Sequence, residues 1–450
     1  MNLIKHKYKT DVYLGIALLA LSIIIMFFIP KWVVDDAFIN FRYRNNFLAG
    51  HGLVFNDGIK VEGFTSLLQI LILIISPFNP TLTSHIISIF FFFLSFYYIF
   101  KLLGNKFLMI GYILAPITYV HIFSGLETIM FVSLTILVYY LLKTNSNKLL
   151  YGLILISLCR PEGILFSLII ILTNKSIRTK YFISLIVSLL LRYWYYDDLF
   201  PNPFYAKFAT QGFKQNIVAV LEFTFYYLLP YVLIFLLYRK KKQNYSNAVK
   251  ASLVFIAITI IYYLGTNLVM NYSYRFYFHL FPLLILTCDE LIQTNNKMRI
   301  SIIISVQLAV YLFLFPNEYA FVRNYKNLID NVHTKAGLYI NSKVKTNDWI
   351  ISDFDAGAIP YFANCKCVDL GGLNDKVIAK GNLNITQTTD YVFSYNPKIF
   401  VITSYKWDYL KHNERTSLIT QDPRFNEFFL DKKFGIPGTN YFQFVYKRRN

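Results

Sequence analysis

Charge is what this sequence has least of. Lys, Arg, Asp and Glu together make up 15% of the 450 residues, while apolar residues make up 56%. A soluble chain of this length needs far more charge to cover its surface, so that class is excluded. Of the charge present, acid is the scarcer sign: 25 Asp and Glu stand against 44 Lys and Arg, a formal net charge of +19. Cysteine is scarcer still, with four in all. Cys159 and Cys288 fall in apolar runs and read as small core residues. Cys365 and Cys367 form a C-x-C, too short alone for a zinc site and strained as a disulfide, so they read as small strand residues. Low-complexity tracts, soluble internal repeats and Gly-Pro linkers are also missing.

What remains is repeated hydrophobic runs, and the mean hydropathy is +0.44. Runs occur near 12–29, 65–78, 82–103, 107–123, 126–142, 149–172, 181–196, 216–238, 249–269, 276–292 and 300–316. Runs of roughly 20 residues predict a polytopic α-helical membrane protein. The run 12–29 is long enough to span and has no A-x-A-like site after it, so it reads as a retained first helix. After Pro316 the composition becomes mixed. "DWIISDF", "KIFVITS" and "YFQFVY" read as strands of an α/β domain. The expected organisation is a transmembrane domain over 1–316, with a first outer loop at 31–64, and an α/β domain over 317–450.

The basic residues bear on orientation rather than on nucleic acid, which is not an expected partner. They cluster in short segments between apolar runs: "KHKYK", "RKKKQ" at 239–243 and "NKMR" at 296–299. That is the pattern of topology determinants. The run 65–78 holds about 14 residues, short for a crossing. If it dips in without crossing, every basic loop falls on the cytoplasmic side. The chemically rich segments and the C-terminal domain then fall outside. The run 149–172 is interrupted by Arg160, Pro161 and Glu162, and reads as two short helices meeting at that point.

The outer segments would hold Asp35, Asp36, Arg42, Arg44, His51, Glu62, Glu127, Arg160, Glu162, Asn202, Tyr205, Lys207, Tyr274 and Arg275. Ionisable residues at membrane depth are candidates for function. A carboxylate at a membrane face can take a proton from an acceptor hydroxyl or bind a divalent cation. Arg and Lys suit a phosphate. Aromatic walls suit a sugar face and a lipid tail. Together these fit a lipid-phosphate-linked sugar. Structural roles compete. Asp35 and Asp36 could cap the helix "AFINFRYRNNFLAG", Glu127 could start a helix, "RPEG" could be an ion pair at a break, and "NPFYAK" could be a turn. In "SDFDAGAIPYFANCKCVDLGGLND", Asp353, Asp355, Asp369, Asn374 and Asp375 could hold an acceptor or a cation, or form a structural seam.

The order of motifs carries a resemblance. "DDAFINFRY", "GHGLVFN" and "VEGFTS" between Asp35 and Ser66 resemble the bacterial arabinofuranosyltransferases of the GT-C superfamily. "SGLETIMF" (124–131), "CRPEG" (159–163), "PNPFYAK" (201–207) and "DAGAIPYF…VDLGGLND" (355–375) continue it over about 340 residues. The resemblance implies a GT-C fold, a polyprenyl-phosphate sugar donor and an acidic residue after the first helix as the key group, here Asp35 or Asp36. Arg160 and Arg275, with Lys207 as a weaker third, are the expected donor-phosphate contacts. Arg42, His51, Glu62, Glu127, Glu162, Asn202, Tyr205 and Asp355 are the expected sugar and acceptor contacts.

The expected function is transfer of a sugar, D-arabinofuranose on this resemblance, to a glycan or glycoprotein acceptor outside a bacterial cytoplasmic (inner) membrane. Two rivals remain open: an oligosaccharide ligase using a lipid-diphosphate donor, and a lipid-linked saccharide transporter or flippase. Adjacent carboxylates permit a divalent cation without requiring one.

Overall fold

The computed structural model describes residues 2–208, 213–238, 245–266, 268, 270–292, 297–381, 383–411 and 414–449. The basic segment 239–243 and Asn296, on which the orientation partly rests, lie outside the described residues. The chain forms two compact units. One comprises Met1–Lys31, Leu82–Val187 and Thr210–Val322; the other comprises Trp32–Thr81, Ser188–Ala209 and Arg323–Asn450.

The first unit is helical. Among the described residues of the whole chain, five helices are long and apolar enough to cross a membrane: Lys9–Phe28, Pro80–Leu102, Phe213–Leu237, Asn247–Leu264 and Ile300–Asn341. Shorter apolar helices cover Thr128–Lys143, Leu149–Cys159 and Pro161–Thr173. The last two are the predicted broken run. Arg160 is extended between them and Pro161 opens the second, where its missing N–H costs nothing. Gly163 permits the close crossing, since a Cβ there would lie 2.0 Å from the Ile156 carbonyl oxygen.

The run 107–123 departs from the expectation of one crossing helix. It forms two short helices, Leu108–Ile113 and Pro116–Ile122, because Pro116 restarts the backbone after an extended Ala115. The helix Lys297–Leu328 does not stop at Pro316 but carries it internally. A π-helical stretch, Ile329–His333, and the helix Thr334–Asn341 continue it.

The second unit is built on a five-stranded mixed sheet. Its strands are β1 (Trp349–Ser352), β2 (Lys366–Asp369), β3 (Ile399–Ser404), β4 (Phe428–Gly435) and β5 (Phe442–Arg448), in the order β2-β1-β3-β5-β4. β1 runs parallel to β2 and β3; β5 is antiparallel to β3 and β4. All six residues of β3 are buried, as a central strand covered on both faces requires. The pleat sorts them: Ile399 and Val401 join one core with Ile350, and Phe400 and Ile402 join the other with Ile351. The first core also contains Ile39, Tyr43, Phe55 and Phe64 of the first loop, and Val332, Ala336 and Ile340. The helix Asp35–Leu48 is thus fastened onto the sheet by its apolar face. Cys365 and Cys367 are buried free thiols at β2. The run 65–78 yields only the nine-residue helix Leu67–Ile75, about 13 Å long and too short to span.

Candidate functional site

Asp35 opens the helix Asp35–Leu48, yet neither it nor Val34 caps that helix with a side chain. Its carboxylate instead accepts the Gly357 N–H on Oδ2 at 2.9 Å and the Ala358 N–H on Oδ1 at 2.9 Å. It therefore caps the helix Ala358–Ala363, which follows β1, and not the helix it begins. His333 supplies a third contact, with Nδ1 3.0 Å from Asp35 Oδ1. Asp36, one residue on, is half-buried.

Asp355 lies three residues beyond β1, at the carboxyl ends of the parallel strands. Its Oδ2 accepts hydrogen bonds from Gln443 Nε2 at 2.6 Å, Thr403 Oγ1 at 3.3 Å and the Tyr441 hydroxyl. Its Oδ1 faces His333 Nε2 at 3.7 Å. Burial pushes the Asp355 carboxyl up; His333 draws it back, and the nearby Asp35 charge adds to the rise. Asp35, His333 and Asp355 can offer one ligand atom each, all within 4.8 Å of one another. His333 escaped the motif reading. Its signal was a lone histidine on the apolar face set by Ile329, Val332, Ala336 and Ile340, all buried.

The other expected residues of this unit hold the chain together in definite ways. Arg42 is taken up internally: it donates to the carbonyls of Phe55, Pro360 and Cys365, each at 2.6 Å, and to Asn56 Oδ1 at 3.1 Å. Arg44 reaches the Leu73 and Phe78 carbonyls. Glu62 accepts from Arg192 Nε at 2.6 Å; burial raises this carboxyl and Arg192 opposes the rise. Asn202 donates to the Gly372, Leu373 and Asp375 carbonyls. Tyr205 donates to Asp198, which also meets Lys376 and Lys380. His51 pairs with Asp57 at an exposed loop, apart from the Asp35 cluster. The side chain of Lys207 lies outside the described residues.

Most of the acidic stretch after β1 is structural. Asp353 accepts from Thr416. Asp369 accepts the N–H groups of Gly371 and Asn374, and burial pushes its carboxyl up to about 7. Asp375 caps the helix Lys376–Lys380. Of the five polar residues singled out there, only Asp355 joins Asp35 and His333.

The first unit holds a second ionic cluster. Arg160 donates to both Glu162 oxygens, at 2.8 and 3.2 Å, and its Nη1 lies 3.7 Å from Glu127 Oε1. Arg275 Nη2 contacts the same Glu127 oxygen at 3.4 Å. Glu127 occupies a helix N-cap position, but its carboxylate serves the two arginines and makes no cap bond. The Tyr263 hydroxyl donates to Glu162. Ser273 and Tyr274, at φ 45° and 55°, form a left-handed turn that delivers Arg275. Around these charges several buried polar atoms make no hydrogen bond: Arg160 Nη1, both ring nitrogens of His279, His121 Nδ1, the Tyr277 hydroxyl and Thr128 Oγ1.

With this geometry established, known proteins supply a frame. A family model described as a domain of unknown function, DUF8728, matches residues 320–443. Among curated proteins no sequence matches the chain. Among solved structures, the chain is similar to ArnT from Cupriavidus metallidurans bound to undecaprenyl phosphate. The TM-score is 0.57 at 8% identity, covering 96% of this chain and 97% of that one. It is also similar to ArnT from the same organism in the apo state, with a TM-score of 0.51, 9% identity and 98% coverage of each chain. The chain is a polytopic α-helical membrane protein with the GT-C fold and a sheet-bearing C-terminal region.

Proposed function

We propose that this protein is an integral-membrane glycosyltransferase. It takes a sugar from a polyprenyl-phosphate donor and passes it to a glycan or glycoprotein outside the cytoplasmic membrane. D-arabinofuranose is the sugar favoured by the motif order from Asp35 to Asp375. The ArnT neighbour binds undecaprenyl phosphate, and the shared fold makes a lipid phosphate the natural donor class here. The outward orientation rests on the placement of Lys and Arg in the loops.

The observation that carries the reading is the Arg160–Glu127–Arg275 cluster with the orphaned Nη1 of Arg160. A buried donor without a partner costs about 1–3 kcal/mol. An oxygen-rich anion satisfies several donors at once, and guanidinium groups fit phosphate. Arg160 and Arg275 therefore hold the donor phosphate and stabilise the charge that grows on it as the glycosidic bond breaks. Glu127 and Glu162 hold the two arginines in place before the donor arrives.

The carboxylates at the head of the first loop supply the rest of the chemistry. Asp35, fixed by two N–H groups and His333, is assigned the role of offsetting the positive charge that develops on the sugar. Asp36, the half-buried neighbour, accepts the proton of the acceptor hydroxyl. The bond from the anomeric carbon to phosphate breaks as the bond to the acceptor oxygen forms. Polyprenyl phosphate leaves.

The test uses protein in nanodiscs with synthetic polyprenyl-phosphate arabinofuranose and cell-envelope acceptor. Mass spectrometry follows addition of a pentose. Addition by the wild type and none by the double variant Asp35→Asn/Asp36→Asn is expected. Full transfer by that variant would overturn the mechanism. Transfer only from a hexose or a lipid-diphosphate donor would move the sugar or the donor class.

A further inference from the structure

His333 has an unused nitrogen. Its side chain is 1% exposed, and Nε2 makes no hydrogen bond. Nδ1 is held by Asp35 Oδ1 at 3.0 Å, so a proton shared on that side leaves the Nε2 lone pair directed at Asp355. Asp355 mirrors this arrangement. Three donors converge on its Oδ2, and Oδ1 faces Nε2 across 3.7 Å, too far for a hydrogen bond. Two good ligand atoms thus point at each other across a gap that neither closes.

We propose that His333 Nε2 and Asp355 Oδ1 bind a divalent cation of the Mn2+ or Zn2+ kind, with Asp35 fixing the imidazole from Nδ1. Metal–ligand bonds of about 2.1 Å would subtend an angle of roughly 120° across that gap, within reach of ordinary coordination with little movement. A carboxylate on the far nitrogen is the usual support of a metal-bound histidine; it sets the tautomer and the ring orientation. One carboxylate and one imidazole suit Mn2+ or Zn2+ better than Ca2+, which prefers oxygen alone. The remaining positions are left to water or an oxygen ligand. The π-helical stretch that ends at His333 is the local irregularity that aims the ring. The alternative is a doubly protonated His333 that pairs with both aspartates at these same distances.

The experiment uses the full chain in nanodiscs, stripped with EDTA, and titrated with Mn2+ while electron paramagnetic resonance counts the bound ion. One Mn2+ per chain is expected, displaced by Zn2+. His333→Gln and Asp355→Asn should each weaken binding at least tenfold. Asp35→Asn should weaken it by about 10–100-fold, as loss of a ligand's support does. Binding of Mn2+ by His333→Gln as tight as by the wild type, or no binding to the wild type at millimolar Mn2+, would overturn the proposal. If the variants fail to fold, a cryo-EM map of the wild type with Mn2+ decides. Density between Nε2 and Oδ1 supports the site; a closed hydrogen bond without density refutes it. Because the readout is binding, the result stands apart from whether the protein transfers a sugar.

Discussion

The backbone N–H of Gly357 donates to Oδ2 of Asp35 across 322 residues of sequence, at 2.9 Å. Glycine is the residue that permits it: a Cβ at 357 would lie 1.9 Å from the Asp35 carbonyl oxygen and 2.5 Å from Oδ2. Gly357→Ala should therefore push the two segments apart, lowering stability by about 1–3 kcal/mol and transfer with it. Thermal unfolding of the detergent-solubilised variant, run beside the transfer assay, checks both. An unchanged melting temperature would contradict this close approach of the Gly357 backbone to Asp35.

The two adjacent aspartates should separate by readout. Asp35→Asn places an amide where three donors converge, so it should lose stability by about 1–3 kcal/mol as well as activity. Asp36→Asn, at a half-buried position, should lose transfer with a smaller fall in melting temperature. Equal melting of both variants would contradict the pinning of Asp35.

At the arginine cluster, charge-keeping changes are the informative ones. Removing a guanidinium outright would strand the carboxylates of Glu127 and Glu162. Arg160→Lys and Arg275→Lys each keep the charge and lose the planar fork. Each should weaken undecaprenyl-phosphate binding roughly tenfold, about 1.4 kcal/mol, measured by isothermal titration in nanodiscs. Binding unchanged in both would remove this cluster from the donor site.

Asp369 gives the C-terminal region a pH dependence. Its carboxyl is raised by burial to about 7 in the fold, against an ordinary value near 3.8. Between these values the folded form holds a proton that the unfolded form has released. The contribution is fully present below pH 3.8 and is lost as pH rises through 7. Thermal unfolding of the full chain from pH 4 to 8 should show this decline. Asp369→Asn should flatten it while lowering stability at the acidic end, because an amide cannot accept every bond that Asp369 accepts from Gly371 and Asn374.

The sequence made the fold readable where one physical rule dominated. Apolar runs marked the helices, short strand-like runs marked β1, β3 and β5, and the Arg160-Pro161 step marked the break. It misled where length alone was the guide: Pro116 splits one expected crossing, and Pro316 sits inside a helix that the composition change suggested would end. Residue types at the site were also legible, since buried charge is conspicuous in an apolar chain. Pairing was not. Nothing in the first loop says that Asp35 will meet His333, 298 residues on, or that Arg42 will be consumed by carbonyls of the C-terminal region. Such partners are fixed by sheet register and helix docking, which no local pattern encodes. Arg192 was hidden for a similar reason, inside "LLLRYWYY", where it reads as an interruption rather than as the partner of Glu62.

Synthesis runs from Asp35 toward the carboxyl end, and that direction has a cost. The carboxylate of Asp35 reaches its three donors only after residue 358 has been made. Asp355 is aligned only once Tyr441 and Gln443, on the approach to β5 and within it, have been added. For most of its translation the nascent chain thus carries an unfinished site, completed only by contacts between residues far apart in sequence. A chain lacking β5 would lack the Tyr441 and Gln443 donors that hold Asp355, so the site depends on the last strand of the sheet.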